Sequence, residues 1–427
     1  MSAFDKIIGY DDEKFELKRI CDILKNTDKY KKFGVTSPRG LLLEGDPGLG
    51  KTLMASCVIE ESGRKTYTLR KTKTSKDFLE EITQVFGEAK ANAPSIVFLD
   101  DMDKFANEDS RHKNAEEFVT LQACIDDVKH DEVFVLATAN ELDCLPDSLL
   151  RAGRFDKVMT IAHPSNTDGT KIVEYYLGQK NCMKNINAKY FARLLAGRSC
   201  AEIESVINDA GILATFEDKS EIGKEDILEA CMRMVYKAPK SSSPHDPEVL
   251  EMVAYHEAGH TVVAELLEAD SVTLTSVCKG TGDIGGITNF CMNPNYFKYK
   301  KYMDNRVMAL LAGRAAHEMI YGDTDVGATN DLKRAYEIIE RYVEEYSANS
   351  FDSLICHRRG DEPSDAFKRG SELRVQIELE KFYNAAKKRL IANREFLDKI
   401  AKALIKKQTL LGEDIQAIKA TCTLVCA

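Results

Sequence analysis

Residues 45–52 read Gly45-Asp46-Pro47-Gly48-Leu49-Gly50-Lys51-Thr52 and fit the pattern G-x-x-x-x-G-K-[ST]. They follow an apolar run of strand length, Leu41 to Leu43, and precede a helical segment from Thr52 to Glu60. In that setting the glycines let the backbone curl, so that its N–H groups and the helix N-terminus surround a β-phosphate. Lys51 is then expected to neutralise the β- and γ-phosphate oxygens, and Thr52 to ligate Mg²⁺. The stretch therefore predicts a phosphate site with Mg²⁺.

The region around this motif, residues 1–165, has the pattern of an α/β domain. Apolar runs of strand length alternate with amphipathic stretches. The clearest apolar runs are 40–44, 95–99 and 133–137, and the clearest amphipathic stretch is 77–91. Continuous apolar strands separated by helices predict a buried parallel sheet that is covered by helices.

The remainder of the chain divides into three parts. Strand signals stop after residue 165, and short helical segments predict a small helical subdomain over 166–237. A Pro/Ser-rich stretch from Ala238 to His245 has the composition of an exposed linker, which we place at 238–248. A second domain is then expected over 249–427, mainly α-helical apart from a Gly-rich, β-prone patch between Val272 and Phe290.

Two acidic residues follow the apolar run 95–99 directly. A carboxylate at the end of a strand beside a phosphate loop can hold the Mg²⁺ shell, and the next carboxylate can polarise an attacking water molecule. We therefore expect Asp100 to serve the metal and Asp101 to act on the water.

The composition is that of a globular protein in a reducing compartment. The net charge of −10 argues against nucleic acid or an anionic membrane as a partner. The 12 cysteines are scattered without a C-x-x-C pair, so neither a zinc ribbon nor a disulfide scaffold is expected. No run approaches the roughly 20 apolar residues of a membrane-spanning helix, and the N-terminus lacks the apolar core of a signal peptide. We expect a cytoplasmic protein with no membrane span of its own.

The second domain opens with an H-E-x-x-H motif, His256-Glu257-Ala258-Gly259-His260. An N-cap residue followed by a proline predicts a long helix from about 247 to 268 around it. Positions i and i+4 lie on one helix face, so His256 and His260 can bind one zinc ion. Glu257 can act as the general base toward the water that zinc activates. This arrangement is typical of peptide hydrolysis.

A catalytic zinc site also needs a third protein ligand and an open position for water. The residues after His260 lack G-x-x-H, which excludes the three-histidine metzincin pattern. Spacing alone leaves four candidates open, which are Glu318, Asp323, Asp325 and Asp331.

The first domain resembles AAA+ ATPases. The segments that carry the resemblance, in their expected order, are Leu41–Leu53, Phe98–Asp103, Ala137–Asn140 and Leu150–Asp156. The resemblance implies ATP with Mg²⁺ as the bound nucleotide and Asn140 as the sensor that positions the hydrolytic water. It implies that Arg151 and Arg154 are arginine fingers, which reach the γ-phosphate in a neighbouring subunit. Such fingers imply a ring, usually a homo-hexamer.

An H-E-A-G-H motif after an AAA+ module resembles the FtsH family, the membrane-tethered ATP-dependent zinc metalloproteases. Further landmarks of that family follow in order, at Gly285–Thr288, Leu311–Ala316, Gly327–Leu332 and Thr409–Glu413. The resemblance covers nearly the whole chain. It implies an AAA+ parallel-sheet domain with a helical lid, followed by a mainly helical zinc metalloprotease domain. It also implies that Asp331 is the third zinc ligand, and that Gly285–Thr288 is an edge strand pairing with extended substrate.

The chain departs from the family pattern at several places. The given sequence begins directly at the ATPase, which is compatible with a soluble relative or with a shortened chain; Met1 favours the former, and we expect a soluble relative. Asp101 stands where the family has Glu, and a carboxylate displaced by about an ångström can cost about a hundredfold in rate. The aromatic pore loop is replaced by the basic segment Arg70–Lys76, and the Asp-Gly-Phe that couples subunits by something like Asp126-Asp127-Val128.

Three functions are compatible with these patterns. The first is an ATP-dependent zinc metalloendopeptidase that degrades protein or peptide substrates in a ring assembly. The second keeps the zinc peptidase but has weak or no unfoldase activity, with nucleotide regulating assembly; the departures at Asp101 and Arg70–Lys76 motivate it. The third is a non-proteolytic AAA+ remodelling protein with a vestigial zinc site, against which the intact ligands and base argue.

Overall fold

The structure is a computed structural model that divides into two compact units, Met1–Ile222 and Gly223–Ala427. The residues it describes are 2–72, 74–107, 115–151, 153–238, 246–279, 285–291, 299–324, 327–344 and 365–425. Most of the proposed linker, residues 239–245, lies outside them, as does the candidate ligand Asp325. The domain bounds given by the sequence therefore remain predictions.

The first unit is built on a five-stranded parallel sheet with the strand order β2-β3-β4-β1-β5. Its strands are β1 (Gly40–Glu44), β2 (Lys65–Leu69), β3 (Ser95–Leu99), β4 (Val133–Ala139) and β5 (Lys157–Thr160). Strands β3 and β4 are buried along their whole length, as continuous apolar runs require when helices cover both faces of a sheet. The predicted α/β architecture is confirmed.

Helices flank this sheet and then continue without further strands among the described residues of the unit. The helices are α1 (Asp11–Lys25), α2 (Thr27–Lys31), α3 (Lys51–Ser62), α4 (Ser75–Ala91), α5 (Ala115–Asp127), α6 (Asn166–Gly178), α7 (Ala188–Leu194) and α8 (Cys200–Phe216). Short 3-10 turns lie at Ala3–Lys6 and Met102–Lys104. Because all five strands run parallel, the carboxyl ends of β1, β3 and β4 lie on the same side of the sheet. The phosphate loop starts there, directly after β1.

The second unit is mainly helical, as expected. Its helices are α9 (Lys224–Met234), α10 (Pro247–Leu267), α11 (Lys300–Tyr321), α12 (Thr329–Glu344), α13 (Asp365–Ala392), α14 (Arg394–Lys407) and α15 (Gly412–Lys419). Three short antiparallel strands, in the order β7-β6-β8, are β6 (Val272–Ser276), β7 (Ile287–Phe290) and β8 (Thr409–Leu411). None of the described helices has the length and hydrophobicity needed to cross a membrane.

Helix α10 is the central helix of this unit and begins as its sequence predicts. The side chain of Asp246 accepts a hydrogen bond from the Glu248 N–H, and proline occupies the first helical position. Small residues bring α10 close to α11. A Cβ atom on Gly259 would lie 2.6 Å from the Ala312 carbonyl oxygen and 2.6 Å from Cβ of Ala316. The H-E-x-x-H helix and the L-A-G-R-A-A helix therefore pack almost backbone to backbone.

A buried carboxylate ties the end of α10 to the C-terminal helix. Glu265 forms an ion pair of 2.8 Å with Lys419, and its side chain also accepts a hydrogen bond from Gln416. The N–H groups of Asp270 and Val272 donate to the same carboxylate. A buried charge with this many partners is stabilised in place.

Candidate functional site

The phosphate loop connects β1 to α3 through backbone conformations that favour glycine. Gly45, Gly48 and Gly50 have φ angles of 142°, 82° and 93°, in the region where side chains with a Cβ are strained. A Cβ on Gly45 would also lie 2.3 Å from the Ile161 carbonyl oxygen. The loop therefore has the curled backbone that the motif predicts, and α3 begins at Lys51.

Lys51 is buried and lies against three oxygen atoms. Its Nζ atom is 2.6 Å from the carbonyl oxygen of Gly45, 2.9 Å from that of Asp46 and 2.9 Å from Oδ1 of Asn140. Burial lowers the pKa of Lys51. The structure thus brings the predicted phosphate lysine and the predicted sensor residue into direct contact.

Asp100 is buried at the end of β3 and accepts two hydroxyl hydrogen bonds. Thr52 Oγ1 is 3.3 Å from its Oδ1 atom, and Thr138 Oγ1 is 3.0 Å from the same atom. The Asp101 N–H in turn donates to Thr138 Oγ1 at 2.9 Å. Thr138 therefore links both carboxylate residues to β4. The motifs in the sequence assign Thr138 no role, although a hydroxyl group inside an apolar strand is a signal of one.

Asp101 has a left-handed backbone, with a φ angle of 53°. Its carboxylate contacts Lys104, whose ammonium group holds the pKa of Asp101 below its usual value. Arg70 lies over both acids: its guanidinium nitrogens are 3.7 Å from Asp100 Oδ2 and 3.8 Å from Asp101 Oδ2. The basic segment after β2 therefore places a cation beside Asp100 and Asp101, the two acids predicted to serve Mg²⁺ and the water. The sequence did not predict this contact.

The two predicted arginine fingers lie elsewhere in the first unit. Arg154 makes a two-pronged contact with Asp126, at 2.9 and 2.7 Å, which raises the pKa of Arg154. Arg151 is exposed. Within the described residues, no hydrogen bond or ion pair joins either arginine to the phosphate loop. Their roles between subunits remain predictions.

A cavity of about 320 Å³ adjoins the phosphate loop. Leu49 and Gly50 form one side of it, and Tyr10, Tyr176 and Cys200 are among the residues on the others. A volume near this value is typical of small-molecule sites. The cavity is large enough for a nucleotide base and was not foreseen from the sequence.

In the second unit, three potential metal ligands converge. The Nε2 atoms of His256 and His260 are 3.0 Å apart, and Asp331 Oδ2 lies 3.5 Å from the first and 3.3 Å from the second. Ligand atoms about 2.0–2.1 Å from a tetrahedral zinc ion would be about 3.3 Å from one another. The three side chains therefore fit zinc in both chemistry and spacing.

The orientation of His260 also suits a metal ligand. Its Nδ1 atom lies 2.7 Å from the carbonyl oxygen of Ala309 on α11. Because a carbonyl oxygen only accepts, Nδ1 must carry the proton, and Nε2 presents a lone pair to the site.

A glycine on α11 makes room for these ligands. A Cβ on Gly313 would lie 2.4 Å from His260 Nε2 and 2.6 Å from His256 Nε2. No real Cβ approaches a nitrogen so closely, so the position accepts only glycine without moving a ligand. The sequence showed this residue as a family landmark and gave no reason for it.

Glu257 lies beside the ligands and is buried. Its Oε2 atom accepts a hydrogen bond of 2.6 Å from Thr288 Oγ1 on β7. Burial raises the pKa of Glu257. Gly286 lies on the other side of the carboxylate, where a Cβ would be 2.6 Å from Oε1. Thr288 and Gly286 thus hold the Glu257 carboxylate in place, and both belong to the segment predicted to bind substrate.

That segment differs slightly from its prediction. The strand begins at Ile287 and ends at Phe290, two residues later than the predicted Gly285–Thr288. Gly286, just before it, passes close to the Glu257 carboxylate. Among the described strands, β7 pairs only with β6 and so lies at the sheet edge.

A cleft of about 620 Å³ opens over the ligands. Its lining includes the three ligands, Glu257, the segment from Gly285 to Thr288, His317 and Arg334. Of the alternative third ligands, Glu318 is engaged with Tyr383 and Lys387. Only His256, His260 and Asp331 form a group with metal-binding spacing among the described residues.

Two family models match the chain. The model described as "ATPase family associated with various cellular activities (AAA)" matches residues 41–163, and "Peptidase family M41" matches residues 245–418. The first span contains the phosphate loop, Asp100, Asp101 and Asn140. The second contains the zinc ligands and Glu257.

Relatives match along nearly the whole chain. ATP-dependent zinc metalloprotease FtsH 2 of Thermoanaerobacter sp. (strain X514) is 30% identical over 97% of this chain and 82% of its own length. ATP-dependent zinc metalloprotease FtsH of Caldicellulosiruptor bescii is 29% identical, over 97% and 72%. The chloroplastic ATP-dependent zinc metalloprotease FTSH 1 of Oryza sativa subsp. japonica is 30% identical, over 97% and 65%. This chain belongs to the FtsH family of ATP-dependent zinc metalloproteases.

Proposed function

We propose that the protein is a zinc metalloendopeptidase that cleaves protein or peptide substrates and is coupled to ATP through its AAA+ unit. The observation that carries the proposal is the convergence of His256, His260 and Asp331 beside Glu257 in an open cleft. Two imidazoles and one carboxylate form a donor set typical of catalytic zinc, and a cleft leaves room for water and substrate. Zinc, when bound, supplies Lewis-acid activation of water and of the substrate carbonyl group.

Glu257 is the proton carrier in this proposal. Its carboxylate takes a proton from the attacking water and passes it to the nitrogen of the leaving amine. A raised pKa suits both steps, because a carboxylate in an apolar site is a stronger base than one in water. The Thr288 hydroxyl group holds one carboxylate oxygen, which leaves the other for the water.

Substrate binding follows from the edge strand. Among the described strands, β7 is at the edge of its sheet; it lines the cleft and can pair with an extended peptide. Backbone pairing is independent of side chains, so it suits an enzyme that cleaves many different sequences.

The nucleotide unit supports coupling to ATP. Lys51 and Thr52 would hold the phosphates and Mg²⁺, and Asp100 would hold the metal shell. Asp101 would polarise the hydrolytic water, and Asn140 would position it.

We also propose that the chain assembles as a homo-hexamer in which Arg151 and Arg154 serve the neighbouring site. The exposure of Arg151 is compatible with that role.

A specific observation favours a second candidate, a zinc peptidase with weak or no unfoldase activity. The segment Arg70–Lys76 has no aromatic residue to grip a polypeptide. Two of its cations already have partners within the unit. Arg70 lies beside Asp100, and Lys71 pairs at 2.8 Å with the buried Glu117. Nucleotide would then regulate assembly or access and would not drive threading.

The test of the proposed function uses casein and a short fluorogenic peptide. Cleavage of both should require zinc, and Glu257→Gln should lower the rate by about a hundredfold to ten-thousandfold while zinc remains bound. Glu251→Gln, an exposed position on the same helix, is the matched control and should cleave normally. Unchanged cleavage by Glu257→Gln would remove that residue from the mechanism.

A folded substrate separates the two candidates. A stably folded reporter and the peptide are each incubated with ATP, ADP or a non-hydrolysable analogue. Brisk ATP-driven degradation of the folded reporter would contradict the second candidate. Peptide cleavage that needs nucleotide binding but not hydrolysis, with the folded reporter intact, would support it.

A further inference from the structure

Among the described residues that line the zinc cleft, one charged side chain has no part in the chemistry above. Among the described residues that line the cleft, Glu257, Asp331 and Arg334 carry ionisable acid or guanidinium groups. The first two are assigned to proton transfer and to the metal. Arg334 has neither role.

Arg334 lies on the cleft face of α12. It follows Asp331 by three residues, so the two side chains are neighbours on the same face, with Cβ atoms about 5–6 Å apart. Arg334 is exposed and makes no ion pair or hydrogen bond with another described residue. Other cations of this unit are paired, for example Lys300 with Asp304 and Arg394 with Asp398. Because no described residue pairs with it, this arginine beside the catalytic centre can bind a substrate group.

The rest of the lining is mostly apolar. The apolar side chains there are Val235, Val249, Met252, Val253, Ile287 and Phe290. Such walls accept an apolar substrate residue but offer no counter-charge to Arg334. Apart from Glu257 and Asp331, which have other roles, the described lining offers no acid to Arg334. A counter-charge for Arg334 can therefore come from the substrate.

We propose that Arg334 makes the zinc cleft selective for substrates with an acidic side chain one to three residues from the cleaved bond. The proposal rests on the proposed peptidase function. An extended peptide advances about 3.3 Å per residue, so a carboxylate within that range reaches an arginine one helical turn from the metal ligand. The guanidinium group can bind a carboxylate with two parallel hydrogen bonds, which a lysine cannot do.

The experiment uses a set of fluorogenic decapeptides with the same apolar centre. Asp, Asn or Lys is placed in turn at each of three positions on either side of the cleaved bond. With the wild-type enzyme, kcat/KM should be about fivefold higher for Asp than for Asn at the best position. Arg334→Gln should abolish this preference, and Arg334→Glu should favour Lys instead.

Lys333→Glu is the matched control. Lys333 is exposed on the same helix, does not line the cleft and changes the net charge by the same amount. It should keep the preference for Asp. Equal cleavage of the Asp and Asn peptides by the wild type, or loss of the preference in Lys333→Glu as well, would overturn the proposal.

Binding separates this inference from the proposed function. The same peptides are titrated into the zinc-loaded Glu257→Gln variant and followed by fluorescence anisotropy. Tighter binding of the Asp peptides, lost on adding Arg334→Gln, supports the inference even if the wild type cleaves none of them. Equal binding of all three peptides refutes it, whatever the cleavage result.

Discussion

The nucleotide site and the zinc site are built on opposite electrostatic arrangements. At the nucleotide site the polar groups pair with one another: Lys51 meets three oxygens, and Arg70 and Lys104 meet Asp101. At the zinc site, the Nε2 atoms of two histidines and a carboxylate oxygen lie within 3.5 Å of each other. Atoms that carry lone pairs are thus crowded together.

This difference indicates what each site can tolerate. Paired charges can exchange one partner for another, so a substitution at the nucleotide site should change the rate or the metal requirement by degrees. Crowded lone pairs are stabilised by a cation held at a fixed distance from all of them. A small displacement at the zinc site should therefore abolish binding.

Gly313→Ala should have the largest effect. The new Cβ would lie 2.4 Å from His260 Nε2, so a ligand must move by about an ångström, which can cost about a hundredfold in peptide cleavage. Zinc content, measured by mass spectrometry, should fall together with activity, while ATP binding stays normal. Gly370→Ala, on α13 with no described atom within 4 Å of the new Cβ, is the control. A zinc-replete, active Gly313→Ala protein would break the contrast between the sites.

Asp101→Glu should have an intermediate effect, and it should raise an activity where Gly313→Ala lowers one. A longer side chain restores the carboxylate position typical of the family, and ATP hydrolysis should rise by about tenfold to a hundredfold. Because the φ angle here is 53°, Glu should also lower the free energy of unfolding by about 1 kcal/mol. Asp143→Glu, an exposed position, is the control. An unchanged ATPase rate would mean that Asp101 does not limit hydrolysis.

Arg70→Ala should have the smallest effect. Removing a cation 3.7 Å from Asp100 leaves less competition for Mg²⁺, so the Mg²⁺ concentration for half-maximal ATP binding should fall by about threefold. Lys76→Ala removes an exposed cation from α4 and should leave that value unchanged. If Arg70→Ala instead raises the Mg²⁺ requirement, Arg70 supports the nucleotide and does not compete with its metal.

How far the sequence could predict each site depends on how its residues are spaced. The phosphate loop and His256–His260 are contiguous, and both adopt the backbone that their motifs require. Asp331 follows its partners by about seventy residues; spacing alone left it among four candidates, and only the resemblance selected it. Strands β1, β3 and β4 were predicted from their continuous apolar runs. Helix α10 was predicted from its capping residue and the proline after it.

The supporting residues could not be found in this way. Thr288, Thr138 and Gly313 act through contacts between separate elements, which no local pattern encodes. The neighbours of Arg70 also depend on where β2 ends relative to β3 in the sheet. Strand β7 starts two residues later than expected, and the close approach of Gly286 to Glu257 before it is likewise a contact between separate elements.

The contacts of Glu265 bear on how this protein can be engineered. Lys419 and Gln416 reach that carboxylate from the last helix, although both are far from the H-E-x-x-H motif in sequence. Shortening the chain before residue 416 would not simply trim a tail. It would leave an anion sealed within the helix that carries the zinc ligands, and such stranded charges are strongly destabilising. Fusion partners are therefore better appended after this helix than substituted for it.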